Sequence, residues 1–475
     1  MPVDDETCDD SRRMTAPRPR PQAGIVVVLA AGRPAAHAFE VGPDGVAIGR
    51  GSPPGLLEDD ERISRRHVRL VAREAGWMVE DLGSRNGTFV DGRRLGAGET
   101  SFEGNVLVRV GRSLLWAVDD VRPLLGHTMQ PAASGPIVGG LLRRAFGEIA
   151  LASRSSDTLL VLGESGAGKE LAARAFHDAR HAPPARAPFV AVNCAAIPEG
   201  LAERLLFGAR KGAYSGAAND ADGYIQEAHG GTLFLDEIAE LDPLVQAKLL
   251  RVLETREVLP LGASRPKPVD IGICAASHRR LRDEVAAGRF REDLYYRIGR
   301  PEVIIPPLRE RIDEIPWFVS ALLRAVDPGL SASVDFVETC ALRVWPGNVR
   351  ELQHEVTRAA HRALELRSPT VDAEHLVDDA GAAVTATPAA RREGLSRWSE
   401  EEIRRELAAN GGNVRATARK LDVHRNQVRR WVEKSVEKSV EKSVEKSVEK
   451  TADKVGQSAL RKDATTWPPP DDAGD

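Results

Sequence analysis

The amino-acid sequence predicts a multidomain chain: a β-sandwich, then an α/β domain on a parallel sheet with a helical lid, then an all-α terminal segment. Three observations carry this. Between residues 23 and 120, short runs such as HAFEV, VAIG, HVRLV, WMVED, TFV and VLVRV alternate with period two. Gly and Asp break them about every ten residues, the pattern of a sandwich. Between 137 and 310, apolar runs (TLLVL, FVAVN, TLFLD, DIGICAAS) alternate with helical patterns such as LVQAKLLRVLE, which argues for a parallel sheet with helices on its faces. Residues 311–378 read as helical, and after the loose GAAVTATPAA stretch a helical period returns from Ser396.

The bounds agree with that division. A chain of 475 residues is too long for one core, and 42% hydrophobic with 29% charged residues reads as soluble and globular. No apolar run approaches the roughly 20 residues of a membrane helix. The acidic start, MPVDDETCDD, has no export-signal pattern, so a cytoplasmic location is expected. Cys8, Cys194, Cys274 and Cys340 show no CxxC spacing, which disfavours a zinc site or a disulfide framework. The net charge of −4 excludes a uniformly basic nucleic-acid binder but says little about single segments. Expected boundaries are a disordered 1–22, a sandwich 23–120, a linker 121–136, an α/β domain 137–310, a helical lid 311–378, a linker 379–395, a helical reader 396–432 and a tail 433–475. Residues 432–451 are a tandem VEKS repeat, read as a solvated helix or slipped repeat, with a thin oligomerising coil as the alternative.

Gly163, Glu164, Ser165, Gly166, Ala167, Gly168, Lys169 and Glu170 follow the run TLLVL and precede the helical run LAARAFHDA. That is the context of a phosphate-binding loop: glycines let backbone N–H groups approach phosphates, and a helix N-terminus favours their charge. Lys169 would reach the β and γ phosphates of ATP. Thr232 to Glu237 is an apolar strand ending in two carboxylates. Asp236 suits Mg²⁺, and Glu237 suits orientation of the attacking water.

GESGAGKE, NCAAI, RLLFGARKGAYSGA, GGTLFLDEIAEL, QAKLLRVLE, FREDLYYRI, PPLRERIDEI and WPGNVREL stand in the order found in the central AAA+ domain of sigma-54-dependent transcription activators. The resemblance covers roughly residues 137–378, and Glu170 in place of the usual Ser/Thr is normal for that family. It implies an ATPase acting on sigma-54 RNA polymerase holoenzyme as a ring of identical copies, a hexamer in the first instance. Asn193 resembles the asparagine that restrains the catalytic glutamate. Arg291 and Arg297 resemble arginine fingers, Arg350 the second sensor arginine, and Ser277 with His278 the first sensor. Gly212, Ala213, Tyr214, Ser215, Gly216 and Ala217 match the sigma-54-contacting loop, usually GAFTGA. Tyr214 and Ser215 depart from that form, which leaves open a phospho-dependent scaffold or repressor whose ring no longer engages sigma-54.

Within the sandwich, Gly49-Arg50, Ser64 to His67 and Leu82 to Val90 resemble the FHA signature, with all three segments in loops. The resemblance implies recognition of a phosphothreonine protein, a Ser/Thr kinase or its product. Arg50, Ser64, Arg65 and Arg85 would serve the phosphate and Asn86 the partner's backbone, while Gly49 and His67 would shape the loops.

Ser399 to Glu402 reads as a capping box opening the helix WSEEEIRRELAAN. VRATARKL and HRNQVRRW would complete a helix-turn-helix resembling the Fis-type reader of double-stranded DNA at upstream enhancer sites. His424, Arg425, Asn426, Gln427, Arg429 and Arg430 would face base edges. Arg415, Arg419 and Lys420 would face phosphates.

Overall fold

The computed structural model describes residues 21–51, 55, 57–96, 98–126, 129, 136–181, 187–198, 200–213, 219–382, 399–409, 417, 420 and 431. The chain divides into two compact units, residues 1–383 and 384–475, taken separately below.

In the first unit, ten strands among the described residues build the sandwich: β1 (Gly24–Ala30), β2 (Arg33–Glu40), β3 (Val46–Ile48), β4 (Val68–Arg73), β5 (Gly76–Asp81), β6 (Thr88–Val90), β7 (Arg93–Arg94), β8 (Glu99–Glu103), β9 (Val106–Val110) and β10 (Ser113–Val118). One antiparallel sheet runs β2-β1-β10-β9-β6-β7 and the other β3-β4-β5-β8. Alternation places Ile25, Val27, Val108, Val110, Leu115 and Ala117 between the sheets, against Val68, Leu70, Trp77 and Val79. The outward residues of the larger sheet are apolar as well. Val26, Val28, Leu107, Leu114, Trp116 and Val118 enter a second core shared with the helices after residue 307. A sheet buried on both faces explains why β1 (GIVVVLA) and β10 (SLLWAV) read as continuous apolar runs. The segment after β10 joins this packing, with Val121 and Leu124 buried.

The α/β domain follows as α1 (Gly140–Ser155), β11 (Thr158–Leu162), α2 (Lys169–Arg180), β12 (Phe189–Asn193), α3 (Ala202–Phe207), α4 (Tyr224–Glu227), β13 (Gly231–Asp236), α5 (Pro243–Thr255), β14 (Glu257–Val258), β15 (Lys267–Pro268), β16 (Ile271–Ser277), α6 (Leu281–Ala286), α7 (Glu292–Ile298) and β17 (Glu302–Ile304). Its parallel sheet has the order β12-β13-β16-β11-β17. Leu142, Ile149 and Phe176 cover one face of the sheet, and Leu249, Leu253 and Leu294 cover the other. Parallel register aligns Leu162 with Ser277 and Asn193 with Asp236, so four strands deliver their C-terminal residues to one edge, where open α/β sheets bind ligands.

The lid is α8 (Ile315–Val326), α9 (Val334–Ala341) and α10 (Asn348–Glu365), with a small parallel pair β18 (Ser331–Ala332) and β19 (Thr370–Val371). Fully buried Trp345 turns the chain from α9 into α10, and its Nε1 donates to Cys340 O at 2.7 Å.

In the second unit, α11 (Glu400–Ala409) opens on a reciprocal cap. Ser399 N donates to Glu402 Oε2 at 2.8 Å, and Glu402 N to Ser399 Oγ at 3.3 Å. The VEKS repeat lies outside the described residues.

Candidate nucleotide and phosphopeptide sites

Lys169 is the first residue of α2, behind Gly168 at φ +108°, and the loop it ends lines a cavity of about 510 Å³. Gly166 has φ +73°, and a Cβ there would stand 2.3 Å from Gly347 O, so glycine is required both by the backbone conformation and by the lid's close approach. The buried Lys169 ammonium donates to Gly163 O and to Glu237 Oε1, each at 3.1 Å. Glu237 itself sits at φ +53° after β13, and its Oε2 meets His278 Nδ1 at 2.6 Å and His278 N at 3.3 Å. Burial opposes the charge on Glu237, but the His278 hydrogen bond and the Lys169 charge hold its carboxyl below the usual range. It is therefore held as an acceptor between Lys169 and His278. Asp236 differs: burial raises its pKa, with only partial relief from Lys169. A divalent cation would relieve that cost, so one carboxylate beside a phosphate-sized loop fits Mg²⁺, which takes few protein ligands.

The lid closes the far side. Arg350 and Val349 line the cavity with Phe318 and Ile137. Buried Asn348 donates to Glu164 Oε2 at 3.0 Å and to Ser165 O at 3.1 Å, while its Oδ1 accepts Leu308 N at 2.7 Å. Arg309 grips Glu164 through two hydrogen bonds of 2.8 and 2.9 Å. The buried Arg311 donates to Ala167 O at 2.9 Å and pairs with Glu314 at 3.0 Å. Glu314 and Asp313 in turn accept Gly139 N and Gly140 N at the start of α1. Sequence reasoning singled out none of Asn348, Arg309 and Arg311. Their motifs, WPGNVREL and PPLRERIDEI, were visible, but their partners stand about 145 to 185 positions away in the chain.

Other predicted residues fall as follows. Asn193 lines the same cavity, and its side-chain oxygen accepts Ala195 N at 3.0 Å; Glu237 is held by Lys169 and His278. Glu170 also lines the cavity, and its carboxylate pairs with Arg174 at 2.8 Å. Arg291 pairs with Asp293 at 2.7 Å and Arg297 donates to Leu253 O at 3.1 Å; neither lines the cavity of its own chain. At the loop, Gly212 and Ala213 are described, whereas Tyr214, Ser215, Gly216 and Ala217 lie outside the described residues. Its stem is tied by the Arg210–Asp220 ion pair and by Lys211 N donating to Asp220 Oδ1 at 2.8 Å.

At one end of the sandwich the FHA-like loops meet around Ser64. Arg50 N donates to Ser64 O at 3.0 Å, Arg85 N to Ser64 Oγ at 3.1 Å, and Asn86 Nδ2 to Arg62 O at 2.7 Å. A Cβ on Gly49 would lie 1.9 Å from Arg65 O, so these two loops tolerate nothing larger there. Asp81 fastens the third loop by accepting Ser84 Oγ and Thr88 Oγ1, both at 2.7 Å. Among the described residues no carboxylate pairs with Arg50, Arg65 or Arg85, which leaves three guanidinium groups for an anionic ligand.

His67 is the buried pin beneath these loops, its Nδ1 accepting Ser64 N at 3.1 Å and its Nε2 3.3 Å from Gly87 O. Burial lowers its pKa from 6.5. The folded imidazole therefore stays neutral where the unfolded one takes a proton, so its contribution is complete above 6.5 and is lost as pH falls below it. Melting temperature is expected to drop as pH is lowered through that range. A His67→Asn chain should lack this component, and identical pH slopes for the two proteins would refute the assignment.

In the second unit Lys420 pairs with Glu406 at 3.0 Å, and the Arg404 guanidinium lies 5.9 Å from the Trp431 ring centroid. Arg415, Arg419, His424, Arg425, Asn426, Gln427, Arg429 and Arg430 lie outside the described residues.

Comparison with known proteins identifies two family domains in this chain. Residues 140–303 match the family described as "Sigma-54 interaction domain", and residues 46–107 match "FHA domain". The hydrogenase transcriptional regulatory protein HoxA of Cupriavidus necator is 49% identical over 206 residues, 42% of this chain and 42% of its own length. The Nif-specific regulatory protein of Azotobacter vinelandii is 46% identical over 223 residues, 46% of this chain and 42% of its own. The match to those two thus takes in less than half of their length. The transcriptional regulatory protein ZraR of Klebsiella oxytoca is 39% identical over 320 residues, 63% of this chain and 68% of its own. With a sigma-54 interaction domain behind an FHA domain and a relative covered over two thirds of its length, the chain belongs to the sigma-54-dependent transcriptional regulators.

Proposed function

We propose that this protein is an ATP-driven activator of sigma-54 RNA polymerase that binds upstream DNA through its C-terminal segment and answers to a phosphothreonine protein. The observation that carries this reading is the Lys169–Glu237–His278 constellation at the mouth of a cavity closed by the lid. The N-terminus of α2 and Lys169 would bind the β and γ phosphates of ATP, with Asp236 on Mg²⁺. Bound Mg²⁺ would neutralise phosphate charge as the γ-phosphoryl group transfers. Lys169 has few hydrogen bonds to give. Engaging phosphate takes it from Glu237, which leaves His278 to orient that carboxylate towards a water molecule. Arg350 would report nucleotide state to the lid, and Arg291 and Arg297 would enter the pocket of a neighbouring copy. The segment 212–217 would press on sigma-54 when that state changes, its small residues permitting movement and Tyr214 supplying contact area. His424 to Arg430 would read base edges.

The test is transcription in vitro with sigma-54 holoenzyme on a promoter bearing an upstream site for this protein. Open complexes are expected only with the protein and hydrolysable ATP. ATP turnover without open complexes, unrepaired by Ser215→Thr, would favour the scaffold or repressor instead.

A further inference from the structure

We propose that phosphopeptide occupancy of the sandwich is passed to the nucleotide site through Arg109 of β9 and Glu338 of α9. This rests on the phosphothreonine reading above and adds the physical route by which that signal would reach ATP hydrolysis.

The sandwich is not an appendage on a loose tether. The outward face of its larger sheet and the inward face of the lid share one apolar core, in which Leu107 and Trp116 belong to the sandwich and Phe336 and Cys340 to the lid. At the edge of that core sits Arg109, whose side chain is 15% exposed. It reaches Asp335 at 3.0 Å and the buried Glu338 at 2.8 Å. Its guanidinium also lies over the Phe89 ring, 3.9 Å from the centroid. Phe89 is the middle residue of β6, three positions after Asn86 and four after Arg85. The strand leaving the phosphopeptide loops therefore stacks on a sandwich cation that grips the lid. The β6–β7 turn makes a second contact, since a Cβ on Gly92 would stand 3.4 Å from Leu342 Cδ1.

On the lid side the route is short. α9 carries Glu338 and Cys340, and Trp345 binds Cys340 O. Three residues later Asn348 holds Ser165 O in the phosphate loop, and Arg350 lines the cavity. A shift of β6 on ligand binding cannot be absorbed by slack at Glu338. Removing one partner from a buried ion pair leaves a charge with no compensation, and close-packed contacts move between discrete arrangements rather than deforming smoothly.

The test uses the full chain, a degenerate phosphothreonine peptide library and its unphosphorylated counterpart. The phosphorylated library is expected to change ATP turnover of the unsubstituted protein by about fivefold or more. Arg109→Met should bind the library with unchanged affinity and keep basal turnover, yet lose that response. Arg109→Met/Glu338→Gln removes both charges, leaves none buried, and should behave the same; it serves if the single variant folds poorly. Arg50→Ala should lose binding and response together. A full response in variants lacking Arg109 overturns the route. Binding by the unsubstituted chain with unchanged turnover overturns it too while leaving phosphothreonine recognition standing. Absence of binding by the unsubstituted chain sinks both.

Discussion

Removing Arg291 and Arg297 together is expected to lower ATP turnover by about 10³- to 10⁵-fold, the range over which an arginine finger acts. The geometry within one chain makes this a discriminating experiment. Arg291 lies at the exposed start of α7 and pairs with Asp293, Arg297 donates to Leu253 O, and neither lines its own nucleotide cavity. If their effect were structural, local loss would be modest, because exposed ion pairs contribute little. A large loss with the fold intact therefore places these guanidinium groups in a neighbouring pocket. Complementation gives the second readout. Mixing the double variant with a Glu237→Gln chain creates junctions that pair an intact Glu237 with intact arginines, so turnover should rise above that of either protein alone. No recovery on mixing, in oligomers shown to exchange subunits, would exclude action between copies.

Glu237→Gln should lower turnover by about 10²- to 10⁴-fold with nucleotide binding kept, since the amide fills the same space but cannot accept a proton. His278→Ala should cost less and should move the acid limb of the pH–rate profile upward. The sign follows from the contacts. Against the penalty of burial, the His278 hydrogen bond and Lys169 depress the pKa of Glu237, so loss of His278 lets the carboxyl protonate at higher pH. A profile for His278→Ala superimposable on that of the unsubstituted protein would remove His278 from the positioning of Glu237.

The strand-ending carboxylates Asp236 and Glu237, the glycine loop before Lys169 and the Ser399–Glu402 cap were legible from the chain because each is a local pattern. Turns, caps and strand ends are set by neighbours a few positions apart, where residue type and spacing are enough. His278 was placed at the first sensor position, but its hydrogen bond to Glu237 depends on β13 and β16 lying side by side.

What the linear order concealed is what the sandwich rests on. Alternation in VLVRV assigns Leu107 and Arg109 to the side facing away from the sandwich core, and solvent is the default occupant of that side. Only the folded chain puts α8 and α9 there, turning an exposed face into a core and a surface arginine into the partner of Glu338. Burial and charge pairing depend on which surfaces meet in space, and residues more than 200 positions apart in the chain carry no local mark of that meeting.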